Sequence, residues 1–319
     1  MVKQGNMDCE LHRGFRRAAV ISTGLISLDI ALGIGGVPRG GITEVFGAEA
    51  TGKTSLCLSL IAQAQRDGEI CAFVDAERSL DPLYAKRYGV DINALWLSQP
   101  TTGEEALDIV SRLARSGAVA LTVVDSAAAL TSQAELSTPL ENASASHEGP
   151  MLARALHKIE ALLRQTGMAL VFTNHLGEQA APHFGVPSAT PGGLALKAQA
   201  VLRVALSMAG SLDGGETASG YAVQARVVKN KFAPPFSTTV FNIMYNGGID
   251  ILNDLLMAGL RFGLIDKRGA SYVFGEHMLG LGQQEAVSAL RRSPAWAESL
   301  TRQIRQLALP ASPVPVEEE

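Results

Sequence analysis

The stretch Gly47-Ala48-Glu49-Ala50-Thr51-Gly52-Lys53-Thr54 fits the pattern G-x-x-x-x-G-K-[ST] at every fixed position. A loop of this kind needs a buried strand before it and a helix after it. Ile42-Thr43-Glu44-Val45-Phe46 is an apolar run that reads as the strand. Ser55 to Arg66 reads as the helix, with Leu56, Leu60 and Ala64 on one face. Glycines allow a tight loop whose backbone N–H groups surround a phosphate chain, and the helix adds its positive N-terminal end. Lys53 is expected to reach the β- and γ-phosphates of a nucleotide, and Thr54 to offer a hydroxyl to Mg²⁺. The eight loop residues and Ser55 are the candidate nucleotide contacts.

Downstream, strands and helices alternate. Cys71-Ala72-Phe73-Val74-Asp75, Leu95-Trp96-Leu97-Ser98, Leu121-Thr122-Val123-Val124-Asp125 and Ala169-Leu170-Val171-Phe172-Thr173-Asn174 read as strands. Thr102-Gly103-Glu104-Glu105 is a capping box opening a helix through Leu107, Val110 and Leu113. Met151 to Leu163 reads as a helix with Leu152, Leu156, Ile159 and Leu163 on one face. Continuous apolar strands between amphipathic helices predict an α/β fold: a mainly parallel twisted sheet covered by helices on both faces. Ser22 or Thr23 is expected to cap a short helix holding Leu25, Leu28 and Leu32.

After Gly193 the strand-like runs come closer together, at 201–206, 221–228 and 238–244, and predict a meander on the sheet edge. A small α/β unit is expected from Ile251, with helices at Leu252–Phe262 and Glu285–Leu307. The expected organisation is a short N-terminal arm at 1–20, a core at 21–250, a small C-terminal α/β domain at 251–308 and a disordered Pro/Glu tail at 309–319.

Composition narrows the function classes. No run approaches the ~20 apolar residues of a membrane span. Residues 1–17 are polar and basic without an apolar segment, so they do not read as a secretory signal. Cys9, Cys57 and Cys71 are odd in number and form no C-x-x-C pair, which points to a reducing, cytoplasmic setting and away from a zinc site. A net charge of −4 gives no global attraction to nucleic acid, though a local groove can still provide it.

Two carboxylates stand out. Asp125 ends a strand where nucleotide hydrolases place the carboxylate that holds Mg²⁺. Glu77 lies two residues past the end of another strand, above the carboxyl edge of the sheet, where it can take a proton from an attacking water. Long irregular loops are expected at Gln133–Gly149 and His175–Pro191. Both leave the edge at which open α/β folds bind ligands. The second contains no Lys or Arg.

Several stretches together resemble the bacterial RecA recombinase family. They are Ile21 to Leu32, the phosphate loop, and Cys71 to Glu77, then Leu80-Asp81-Pro82-Leu83-Tyr84-Ala85 and Val123-Val124-Asp125-Ser126. Further on come Gly192-Gly193-Leu194-Ala195-Leu196-Lys197, Val227-Val228-Lys229-Asn230-Lys231 and Ala233-Pro234-Pro235-Phe236. The resemblance runs from about residue 21 to 307. It implies a RecA-like P-loop ATPase core using ATP and Mg²⁺ that assembles head-to-tail into a filament on single-stranded DNA, with ATP between subunits. Carried over by position, Glu77 resembles the catalytic base, and Asp81 and Tyr84 the adenine contacts. Lys229 and Lys231 resemble the pair reaching a neighbour's phosphates. His175 stands at the γ-phosphate sensor, where the family has a glutamine. The two long loops correspond to the DNA-binding loops. On that basis Phe184, Gly192, Gly193 and Arg154 are the candidate DNA contacts.

Apart from His175, the departures cluster away from the phosphates. Only residues 1–20 precede the matched segment, so most of the family's N-terminal polymerising helix is missing from the resemblance. Gly177 and Gln179 replace basic residues early in the second loop, His157 replaces an arginine, and Ala198 replaces an aromatic that links nucleotide state to subunit contact. Two functions are therefore expected in competition. One is an ATP-dependent recombinase acting in recombination and repair. The other is a RecA-like paralogue that binds ATP and protein partners as a regulatory or translesion-synthesis accessory factor without strand exchange. A hexameric helicase sharing the core lacks its motifs here.

Overall fold

The computed structural model describes residues 19–138, 148–176, 193–212 and 219–309. Its first half runs β1 (Val20–Ile21), α1 (Ile26–Ala31), β2 (Val37–Pro38), β3 (Ile42–Gly47), α2 (Lys53–Arg66), β4 (Cys71–Asp75), α3 (Pro82–Arg87), β5 (Leu95–Ser98), α4 (Gly103–Ser116) and β6 (Leu121–Asp125). It continues with α5 (Gln133–Ser137), α6 (Glu148–Thr166), β7 (Ala169–His175), α7 (Gly193–Gln199), β8 (Leu202–Leu212), β9 (Gly220–Asn230), β10 (Thr238–Met244) and β11 (Gly248–Ile249). The C-terminal part is α8 (Ile251–Arg261), β12 (Ile265–Arg268), β13 (Ser271–Phe274), β14 (His277–Leu281), α9 (Gln283–Arg292) and α10 (Pro294–Ala308).

Strand side chains alternate between faces, so a run that is apolar throughout must be covered on both. In β7, Ala169 and Val171 join one core with Leu56, Leu60 and Ile61 of α2. Leu170 and Phe172 join the opposite core with Val110 of α4 and Leu156 and Ile159 of α6. The sheet order is β11-β10-β9-β8-β3-β7-β6-β4-β5. From β8 to β5 all pairings are parallel, and β9, β10 and β11 add an antiparallel flank. The expected α/β sheet is borne out, and the phosphate-loop strand β3 sits in its interior, between β7 and β8.

Helices α8 to α10 enclose a third core with the antiparallel sheet β12-β13-β14. The single helix expected over 285–307 is two, α9 and α10, broken at Ser293-Pro294. Proline has no N–H to continue the ladder and drives the preceding residue out of the helical region. Helix α10 returns to the core, where Arg305 pairs with the fully buried Asp29 and donates to Ser22 Oγ at 2.8 Å. Asp29 also accepts from Thr23 N at 2.9 Å and Thr23 Oγ1 at 2.8 Å, and burial pushes its carboxyl up to about 6 against the pull of Arg305. This corrects the expected capping role: the N-cap residue of α1 is Leu25, and Ser22 and Thr23 serve the buried carboxylate instead. The loop expected from Gln133 begins as helix α5, capped by the Ser132 hydroxyl, and α6 starts already at Glu148. Residues 1–18, with most of the expected arm, and 310–319 of the expected tail lie outside the described residues.

Candidate active site

Strand β3 delivers the chain into the loop, and α2 begins at Lys53. Two glycines are fixed by their surroundings. A Cβ on Gly47 would lie 2.3 Å from the Leu206 carbonyl oxygen. Gly52 has φ +86°, and a Cβ there would lie 2.4 Å from Ile243 Cδ1. The loop is therefore packed against β8 and β10 so closely that only glycine fits at these points.

Lys53 is 7% exposed. Its Nζ donates to the carbonyls of Gly47 (3.2 Å) and Ala48 (2.8 Å). Burial pushes the ammonium below its ordinary range, and the carboxylates of Asp125, Glu77 and Glu49 pull it back up. Thr54 Oγ1 donates to Asp125 Oδ2 at 2.7 Å, and Thr173 Oγ1 donates to Asp125 Oδ1. Burial raises the Asp125 carboxyl; the two threonine hydroxyls lower it, and Glu77 and Asp75 raise it further. A desolvated carboxylate beside two others, with one lysine among them, is a hard-oxygen setting that favours a small divalent cation. The donor set of Thr54 and Asp125 fits Mg²⁺.

Strands β4 and β6 are in register at Asp75 and Asp125, which brings the turn after β4 over the end of β6. The Ala76 and Glu77 N–H groups both donate to the Asp125 carbonyl, at 2.9 and 3.2 Å. Asp75 is tied down by Ser79 N, Leu80 N and Gln99 Nε2. Glu77 is thus aimed at the cavity while Asp75 is not. Its Oε1 accepts from the Ser126 hydroxyl and lies 3.0 Å from His175 Nε2. Beneath this pair, Asn174 Oδ1 accepts from His175 N at 3.0 Å, and Asn174 Nδ2 donates to Glu44 Oε1 at 2.9 Å. Glu44 is itself paired with Arg203 in the sheet interior.

These groups open onto a cavity of about 600 Å³ lined by Glu49, Lys53, Thr54, Glu77, Asp125 and His175. Ser55, Tyr84, Tyr221 and Tyr245 also line it. That size accommodates a nucleotide. A larger hollow of about 1150 Å³ lies between α2, α8 and α10 and contains none of this chemistry.

Other expected residues fall elsewhere. Asp81 caps α3, accepting from Leu83 N at 2.8 Å, and does not line the cavity. Lys229 and Lys231 do not line it either. Lys229 Nζ donates to the carbonyls of Lys197 (2.7 Å) and Ala198 (2.9 Å) at the end of α7. Arg154 sits on α6, beside a groove it shares with Glu104, Asp108 and Lys158. Gly193 begins α7. Phe184 and Gly192 lie outside the described residues. Sequence reasoning missed Ser126 and Thr173 as partners of the two carboxylates, Tyr221 and Tyr245 in the cavity lining, and Tyr88, which bonds to Ser55 and Tyr84. Tyr88 had a signal, its four-residue spacing from Tyr84 at a helix. Tyr221 and Tyr245 had none, because their place follows from strand pairing.

A central strand running into a glycine loop over a helix N-terminus, with a strand-ending aspartate facing the loop threonine, defines a P-loop nucleotide-binding protein of the open, mainly parallel α/β type. Comparison then gives the family. Residues 9–250 match the RecA N-terminal domain and residues 253–309 the RecA C-terminal domain. The chain is 44% identical to Protein RecA of Thermus aquaticus over 290 residues, which covers 91% of this chain and 85% of that one. It is 42% identical to Protein RecA of Rubrobacter xylanophilus over 92% of this chain and 85% of the relative, and 42% identical to that of Aquifex pyrophilus over 90% and 83%. The chain belongs to the RecA family of recombinases.

Proposed function

We propose that the chain is an ATP-dependent, DNA-binding recombinase that hydrolyses ATP with Mg²⁺ while assembled head-to-tail on single-stranded DNA in the cytoplasm, for homologous recombination and repair. The observation that supports this most is the convergence of Lys53, Thr54, Asp125 and Glu77 on one cavity. The loop N–H groups and Lys53 bind and orient the phosphates. Thr54 and Asp125 would hold Mg²⁺, which would supply positive charge against that of the phosphates. Glu77 accepts the proton of the attacking water as its oxygen bonds to the γ-phosphorus and the bond to ADP breaks, leaving ADP and inorganic phosphate. Ser126 and His175, both at Glu77 Oε1, hold that carboxylate toward the phosphate end. Tyr84 takes the adenine by stacking, and Asp81, outside the cavity lining, caps the helix that carries Tyr84.

Lys229 and Lys231 serve a neighbour's ATP. Their absence from their own cavity supports this, and cations there stabilise transition-state charge as an arginine finger does. Phe184, Gly192, Gly193 and Arg154 contact DNA. The domain division proposed is a core at 21–250 and a C-terminal unit at 251–308. The accessory-factor reading is not favoured, because the resemblance to RecA extends over both domains at 42–44% identity. The test is the ATPase rate with and without single-stranded DNA. Strong stimulation is expected; a rate unchanged by DNA overturns the recombinase reading.

A further inference from the structure

Ser55, Tyr84 and Tyr88 close a ring of three hydroxyls. Ser55 Oγ and Tyr84 Oη are 2.8 Å apart, the Tyr84 and Tyr88 oxygens 2.7 Å, and Tyr88 Oη donates to Ser55 Oγ at 2.9 Å. Each hydroxyl has one proton and spare lone pairs, so a closed ring lets every member donate once and accept once. Ser55 is the third residue of α2, directly after Thr54. Ser55 and Tyr84 line the nucleotide cavity, whereas Tyr88 is 6% exposed and lies behind them.

Tyr88 is itself immobilised. A Cβ on Gly248 would lie 3.3 Å from three of its ring atoms, so the backbone of β11 packs directly on the ring. The Tyr84 and Tyr88 rings are 5.0 Å apart and inclined at 58°, a tilted aromatic pair. Burial raises the Tyr88 phenol far above its ordinary range, so its proton stays in the ring at working pH.

We propose that Tyr88 is a positioning residue for base recognition: through the hydroxyl ring it locks Tyr84 against the first turn of the phosphate-binding helix, and so presets a platform for the purine of the nucleotide. This rests on the ATP-binding reading of the cavity. A mobile tyrosine loses rotamer freedom when a base stacks on it, and one already fixed does not. The ring therefore strengthens base binding without touching the phosphates or the reacting atoms.

The experiment uses the full chain and its Tyr88→Phe variant, which keeps the ring against Gly248 and removes only the hydroxyl. Calorimetric Kd values are measured for ATP and for inorganic tripolyphosphate, both with Mg²⁺, together with KM and kcat. The loss of about one net hydrogen bond predicts a roughly fivefold rise in Kd and KM for ATP. Tripolyphosphate affinity and kcat are expected to stay at the parent values. Unchanged ATP affinity overturns the proposal, and so does parallel weakening of both ligands, which would make the ring a support of the phosphate loop alone. If Tyr88→Phe does not fold, Tyr84→Phe removes the same ring from the exposed side, and it must weaken ATP and spare tripolyphosphate. Tripolyphosphate binding by the parent with no preference for ATP refutes the platform and leaves the phosphate site standing. Binding of neither ligand refutes the ATP reading itself, and the platform with it.

Discussion

Two segments leave the carboxyl edge of the central sheet, and they differ in the fixed charge they carry. After β3, the phosphate loop presents a buried lysine, a helix N-terminus and a threonine facing Asp125, each held by named partners. After β7, residues 175–191 contain no Lys or Arg. One anion site thus rests on fixed charge in a desolvated pocket, where electrostatics is strong. At the other, the side-chain cations that release counterions from nucleic acid are absent from the loop. The nucleotide end should tolerate no substitution of its charged residues, while the DNA end should respond to added charge.

The largest effect is expected at Lys53. Lys53→Ala removes the lysine of the phosphate loop, so nucleotide binding and hydrolysis should both be lost, with turnover down on the order of 10³-fold or more. The fold should persist, because the ammonium is a desolvated charge whose hydrogen bonds go only to loop carbonyls. Nucleotide binding and ATPase assays beside a circular dichroism melt measure all three. Parent-like hydrolysis would remove Lys53 from the phosphate site.

Glu77→Gln should come next, with ATP affinity kept and turnover reduced about 10²–10⁴-fold, since a carboxamide cannot take the proton of the water. The carboxamide oxygen can still accept from Ser126, so the side chain should stay in place. Single-turnover hydrolysis with saturating ATP separates this from a binding defect. A turnover within a few-fold of the parent would assign the base elsewhere.

The contrast between the two segments also explains what the sequence disclosed. The loop, Thr54, Asp125 and Glu77 were legible because their geometry is local: each sits at a fixed offset from a strand end, and strand ends show in apolar runs. The parallel sheet itself follows from the alternation of strands and helices, and its register brings Asp75 level with Asp125. What stayed hidden depends on pairing between distant segments. Tyr221 and Tyr245 reach the cavity through the antiparallel flank β9–β10, and nothing in their neighbourhoods signals it. Asp29 reads as an ordinary helix residue, yet it is fully buried and answers Arg305, nearly the whole chain away. The break at Ser293-Pro294 was visible in sequence as a proline, but the apolar spacing continued across it.

A smaller effect tests whether the nucleotide site is shared. Lys229 donates to carbonyls at the end of α7 instead of facing its own cavity. A Lys53→Ala subunit and a Lys229→Ala, Lys231→Ala subunit should each be inactive alone, and mixing them should restore part of the parent ATPase rate, because intact half-sites meet at mixed interfaces. The recovered rate is read across mixing ratios, with co-assembly checked by cross-linking. Co-assembly without any recovery would place both lysines outside a shared site.

The smallest effect bears on the loop after β7. Log affinity for single-stranded nucleic acid falls with log salt by about 0.7 per phosphate neutralised. With no Lys or Arg in residues 175–191, the proposed DNA contacts of this loop, Phe184 among them, are expected to rest on backbone N–H groups and base stacking, which release fewer counterions. Binding to labelled single-stranded DNA with a slowly hydrolysed ATP analogue should therefore be weak, with a shallow salt slope. Gly177→Arg and Gln179→Arg add charge to this loop, and each should steepen the slope by about 0.7 while tightening binding at low salt. ATP affinity measured without DNA is the control, and it should stay at the parent value. A parent slope that is already steep, and indifferent to both substitutions, would assign DNA binding to cations elsewhere, with Arg154, Lys158 and the N-terminal arginines the next to replace. The two segments would then no longer differ in how they bind an anion, only in where the charge is placed.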